Sequence, residues 1–200
     1  ILEKVLEIPW LGVVFKPKNG DSLRQRLGPV NDLLTAAEKT GRCLVIGEQI
    51  GRYQSSVPPL LAGLASDISI HAHLCSGTSA LGCALQDLPT ILIDREGTPS
   101  SKLNELPPKR VVFKTWPETI DAVMEHFRTP SGIPGFGDWS NIINELDPFR
   151  DGQAARRMGT YLKWLIDGFD QGLDRETIMA NAAEDYVQEW GADKVIAIGK

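Results

Sequence analysis

Leu74-Cys-Ser-Gly-Thr-Ser-Ala-Leu-Gly-Cys-Ala-Leu-Gln-Asp-Leu-Pro-Thr-Ile-Leu-Ile-Asp94 decides how this chain folds. It reads as a strand end, a small hydroxyl-rich turn, a short helix over Thr78 to Gln86, and a buried strand at Thr90-Ile-Leu-Ile-Asp94. The turn Ser76-Gly77-Thr78-Ser79 leaves backbone N–H groups without partners at the start of that helix. Such donors, with the positive end of the helix dipole, favour an anion. Gly77 lets the backbone approach a ligand, and hydroxyls of Ser76, Thr78 and Ser79 add donors. The plainer alternative is that Ser76 or Thr78 is a helix N-cap.

Similar units flank this one. Gly12-Val-Val-Phe-Lys-Pro-Lys18 is a short apolar strand closed by Pro17 and Asn19-Gly20. A helix capped by Asp21 or Ser22 follows, interrupted at Gly28-Pro29, with Leu23, Leu27, Val30, Leu33, Leu34 and Ala37 on one side. Further strands are expected at Cys43–Ile46, Asp67–His73 and Arg110–Phe113, with helices at Leu60–Ala65 and Glu118–Phe127. Pro117 suits the first turn of the last helix. Strands alternating with helices imply parallel pairing, and continuously apolar strands imply a sheet covered on both faces. The expected fold is therefore α/β: a doubly wound, mainly parallel, five-stranded Rossmann-like sheet over residues 1–129. From Thr129 the character changes. Pro130–Gly137 reads as a breaker-rich linker, and an all-helical tail fills 130–200, with helices over Gln153–Phe169 and from Asp174 to Trp190. Tyr161, Trp164, Leu165, Tyr186 and Trp190 are expected to pack the last two helices on each other and on the sheet domain, leaving an apolar patch that faces a further, N-terminal half.

Ligands of such sheets bind at the carboxyl ends of the strands. Lys16, Lys18, Glu48 and the Ser76–Ser79 turn fall at those ends. Lys16 and Lys18, two apart in an extended segment, face one side and suit a diphosphate; solvated lysines are the alternative. Glu48 and His73 are candidates for a sugar or phosphate contact. His71, His73 and Cys75 share a face if extended, but no fourth ligand is near, so no metal is expected. Asp147-Pro-Phe-Arg-Asp-Gly152 leads into a helix carrying Arg156 and Arg157. Arginines beside a helix N-terminus oppose its dipole, which points to an anionic partner, either a carboxylate such as Asp147 or Asp151 or a phosphate reached by Arg150.

Composition narrows the class. Hydrophobic residues make up 42% and charged residues 24%, ordinary for a globular chain. The net charge of −5 argues against a nucleic-acid partner. No apolar run reaches transmembrane length, which leaves room for peripheral membrane contact, and no signal peptide is read. The 3 cysteines, Cys43, Cys75 and Cys83, sit in apolar contexts and suit a cytoplasmic protein. A P-loop, a nucleophile elbow and a dinucleotide fingerprint are all missing, so no such cofactor is expected.

The series Lys16-Pro17-Lys18, Ala65-Ser66-Asp67, Ser76-Gly77-Thr78-Ser79 and Leu88-Pro89 before an apolar strand resembles the C-terminal, donor-binding half of GT-B-type glycosyltransferases. The nearest likeness is to bacterial surface and capsular polysaccharide transferases, whose C-terminal tails are similar to the Asp147–Gly152 segment and its two following helices. The likeness runs from Gly12 to Val195. It departs at Gly82, where many such enzymes carry a Glu that holds the donor ribose. The resemblance implies a two-domain enzyme acting in its interdomain cleft. The C-terminal half holds a nucleotide-diphosphate sugar, while an N-terminal half, expected to be missing from this chain, supplies the acceptor site and usually the base. Catalytic residues are therefore not assigned. A nucleotide-sugar epimerase of the same architecture, and a non-catalytic α/β assembly or regulatory module, are the competing readings.

Overall fold

A computed structural model describes residues 1–17, 20–47, 57–72, 74 and 77–195, and side chains from residue 23 onward in the helix that starts at Gly20. The chain divides into two compact units, Ile1–Ile142 and Ile143–Lys200.

The first unit is α/β. Helix α1 (Leu2–Glu7) precedes β1 (Val13–Phe15); α2 (Gly20–Leu27) and α3 (Val30–Lys39) lead to β2 (Cys43–Val45). Then come α4 (Pro59–Leu64), β3 (Ser69–His71), α5 (Thr78–Ala84), β4 (Thr90–Ile93), β5 (Val112–Phe113) and α6 (Trp116–Arg128). Gly28, with φ +51, separates α2 from α3, as the Gly-Pro pair predicts. All described strand pairings are parallel, but they form two sheets. β1 pairs with β2, setting Val14 opposite Leu44; β3-β4-β5 form the other, setting Ile70 opposite Ile91 and Ile93 opposite Phe113. The expected five-stranded sheet is thus present as a two-stranded and a three-stranded sheet among the described residues.

Central strand β4 is buried along its whole length, as its unbroken Thr-Ile-Leu-Ile run predicts. Its Ile91 joins Leu34, Ala37, Cys43, Phe113, Val123 and Met124 in one apolar core, against which Phe15, Val45 and Ile70 also pack. Helix α1, which sequence reading leaves unassigned, adds Leu2 and Val5 to that core. Its last carbonyls would lack partners, as at any helix end. The Ile8 N–H closes the Lys4 carbonyl at 2.9 Å, and Arg42, just before β2, adds a side-chain donor at this end. Its Nη1 donates to the carbonyls of Ile8 at 2.7 Å and Leu11 at 3.0 Å, and to that of Val5.

Residues 130–142 belong to this unit rather than to a linker. Phe136, Trp139 and Ile142 are buried. Positive φ at Ser131, Gly132, Gly135 and Gly137 folds the segment back on itself. The Gly137 N–H donates to Arg110 at 2.9 Å, its carbonyl accepts from Thr90 N–H at 3.0 Å, and Trp139 Nε1 donates to the Thr90 carbonyl at 2.8 Å.

The second unit is helical: α7 (Ile143–Leu146), α8 (Ala154–Asp170) and α9 (Arg175–Trp190), closed by a 3-10 turn at Ala192–Lys194. Asp174 caps α9 as expected, accepting from the N–H groups of Glu176 and Thr177 at 3.0 Å each. Gly191, with φ +99, ends it. Helices α8 and α9 pair antiparallel. Tyr161 meets Tyr186 edge-on at 6.1 Å, and Gly168 lies under Ile178, close enough that a Cβ would fall 2.9 Å from its Cγ1.

Candidate functional site

The carboxyl ends of the parallel strands are where this architecture exposes backbone and charge. Lys16 and Pro17 follow β1. Lys16 is half-buried and its Nζ donates to the Pro17 carbonyl at 3.2 Å. Gly77 and Thr78 open α5, with Thr78 exposed and Ser79 half-buried. Gly77 is the N-cap of α5 and brings no capping side chain of its own, and the first turn of the helix carries no acid. The candidates Lys18, Glu48, His73 and Ser76 lie outside the described residues, as does Cys75.

Gly77 has a packing reason of its own. Its φ of −67 suits any residue, so conformation does not demand glycine. A Cβ there would fall 2.5 Å from Leu103 Cδ1, on the 3-10 turn Lys102–Glu105 between β4 and β5. The absent side chain admits Leu103, where sequence reasoning assigns the space to a ligand. Gly82 is open, with nothing within 4 Å of an added Cβ.

The three-stranded edge also carries a charge pair that sequence reasoning missed. Asp94, directly after β4, is buried at 4% exposure. It accepts from Lys114 Nζ, just after β5, and from the Gly97 N–H at 2.8 Å. The Lys114 ammonium, then the Gly97 N–H, hold its carboxyl below the usual range. An acid ending a wholly apolar strand, with a lysine ending the next strand, is the signal that could have found it.

Beneath α5, a second polar group runs from β3. The Ser69 hydroxyl lies 2.8 Å from His71 Nε2 and donates to Cys83 Sγ at 3.6 Å. Burial pushes the His71 ring below its ordinary value, so it is neutral near pH 7 and supplies no cation. Cys83 is wholly buried, which removes it as a nucleophile. Among the described residues no cluster of His, Cys, Asp and Glu could hold a metal ion, and no helix is long and apolar enough to cross a membrane.

In the helical unit, Arg150 is exposed at φ +47, with its N–H on Asp147 Oδ1 at 3.1 Å. For Arg157 the anion is a carboxylate of the chain itself. Arg157 forks onto Asp151 at 2.9 and 2.5 Å and lies over the Phe149 ring at 3.6 Å. Asp151 sits two residues before the N-cap of α8, Gln153, and accepts its N–H at 3.0 Å. Arg157 first, then that N–H, pulls the Asp151 carboxyl far below its usual range.

No protein-family model matches this chain, nor does any curated protein or solved structure.

Proposed function

We propose that this chain is the donor-binding half of a glycosyltransferase of bacterial surface polysaccharide synthesis, holding the diphosphate of a nucleotide sugar. One observation carries the reading. Parallel strands with helical crossovers send β1 into Lys16 and β3 toward α5, whose first turn carries no acid. In this reading the two sheets are segments of one five-stranded sheet in the order β2-β1-β3-β4-β5. Its direction reverses between β1 and β3, where a ligand crevice belongs. Phe15, Val45 and Ile70 packing against one core supports that order.

Charge develops on the leaving diphosphate as the glycosidic bond breaks. Fixed N–H groups of Gly77, Thr78 and Ser79, and the ammonium groups of Lys16 and Lys18, would stabilise that charge most in the transition state. Glu48 or His73 would contact the sugar. With Gly82 where a ribose-binding Glu occurs elsewhere, the nucleotide is gripped chiefly through its phosphates.

Thermal shift of the full chain with nucleoside diphosphates and nucleotide sugars is the test. A midpoint that rises with ligand concentration is expected, and calorimetry then resolves the contacts. Lys16→Ala or Lys18→Ala weakens affinity by roughly 10-fold at the lysine that bonds phosphate, and Thr78→Val weakens it if its hydroxyl does. No shift with any nucleotide at about 1 mM would overturn the reading.

A further inference from the structure

The helical unit buries one seam and leaves a neighbouring face bare. On α8, Tyr161 and Gly168 face α9; on α9, Ile178 and Tyr186 face back. The residues one position later are exposed: Leu162 and Phe169 on α8, Met179 and Val187 on α9. Met158 and Ile166 extend the α8 row. One residue is a turn of about 100° around a helix. Because the helices are antiparallel, the same sense of rotation carries both rows to one side of the pair.

That face holds a knob and a hole at opposite ends. Phe169, 75% exposed, is the knob, near the end of α8. The hole is an open cavity of about 340 Å³ lined by Tyr161, Ala183, Tyr186 and Val187, with Lys194 and Val195 at its rim. Phe169 and Tyr161 stand eight residues apart on α8, roughly 12 Å along its axis, so a side chain cannot fill the hole of its own helix pair.

We propose that this face is the interface of a homodimer, in which Phe169 of each copy enters the Tyr161–Val187 cavity of the other. A two-fold contact requires that if one residue meets a second, the second meets the first. An antiparallel crossing of the two α8 helices centred on Leu165 satisfies this, since it sets Phe169 level with Tyr161 in both directions. The same register sets Lys163 level with Asp167 of the other copy. Within one chain these two pair at 2.5 Å, so the dimer joins two ion pairs into a ring of alternating sign. Gly159, with open space around it, leaves the flank free for close approach. Met158, Leu162, Ile166, Phe169, Met179 and Val187, if wholly covered, would bury on the order of 600 Å² per copy, the low end of the area per partner of a stable interface.

Sedimentation velocity of the full chain over a concentration series tests this. A reversible dimer is expected. Phe169→Ala removes the knob and Ala183→Trp fills the hole, so each weakens association at least about 10-fold. Both side chains are exposed, and circular dichroism of each variant matches the wild type. Lys163→Asp weakens the dimer, and adding Asp167→Lys restores it. A chain that stays monomeric up to about 100 µM overturns the proposal, including one that binds vesicles or another protein through this face. So does a dimer that Phe169→Ala and Ala183→Trp leave equally strong.

Discussion

Trp139 donates its indole N–H to the Thr90 carbonyl at 2.8 Å, and so ties a loop rich in glycine to the start of the central strand. Both residues are buried, and water cannot replace either partner. Trp139→Phe keeps most of the ring and orphans that carbonyl. Chemical denaturation is expected to show a loss of about 1–3 kcal/mol. Gly137→Ala is expected to cost more. Its φ is +71, and a Cβ would press on backbone atoms of Pro89 and Thr90 at 2.6–2.8 Å, which no rotamer change relieves.

The contact of Gly77 with Leu103 separates a packing glycine from a ligand-binding one. Gly77→Ala is expected to destabilise the chain by about 1–3 kcal/mol through overpacking. In a Leu103→Ala background the same substitution should cost much less. A double-mutant cycle measures the coupling. Equal cost in both backgrounds would remove Leu103 as the reason for glycine.

Asp94 and Lys114 set an acid limit. Because the folded carboxyl is depressed below its ordinary 3.8, its contribution is complete above that value and is lost as pH falls through the folded one. Lys114→Met leaves the buried carboxylate without its cation. We expect a loss of about 1–3 kcal/mol at neutral pH and an acid-unfolding midpoint moved upward.

Two histidines add a milder dependence at higher pH. His126 accepts the Ile133 N–H at Nδ1, 3.0 Å away, and stacks on Phe136 with ring centroids 4.5 Å apart. Burial lowers both His126 and His71 below 6.5. The unfolded chain therefore takes up protons first on acidification. Their contribution is full above 6.5 and fades as pH falls through the folded values. Urea unfolding near pH 7.5 and near pH 5.5 should show a decline that His71→Gln/His126→Gln reduces.

Gly82 stands inside α5 with open space around it. Gly82→Glu should raise stability by roughly 0.5–1 kcal/mol from backbone entropy alone. If the donor-binding proposal is right, it should also tighten nucleoside diphosphates over inorganic diphosphate, because only the former carry a ribose. Calorimetry with both ligands reads the difference.

Much of the strand and helix order was legible because the residues carry unmixed signals. Thr90–Ile93 has no polar break, and Asp174 and Gly191 bracket a helix by their own chemistry. The misreadings share a cause: local signals that tertiary partners overrule. Gly132, Gly135 and Gly137 read as a breaker-rich linker but serve as left-handed corners, the last of them against Pro89 and Thr90. Helix α1 is too short for its periodicity to show, and depends on Arg42, far along the chain. At the strand ends, Lys16, Thr78 and Ser79 were placed by counting from the strands and helix. The Asp94–Lys114 pair was not, because nothing local says that β4 and β5 are neighbours.

Arg42 also imposes an order of events. Helix α1 closes its Lys4 carbonyl locally, with the Ile8 N–H, but the side-chain donor to the Val5, Ile8 and Leu11 carbonyls lies more than thirty residues further along the chain. Full closure of that helix end therefore waits for the residue just before β2. Helix α1 thus precedes the described strands of this unit in sequence, yet its end is fastened only together with β2.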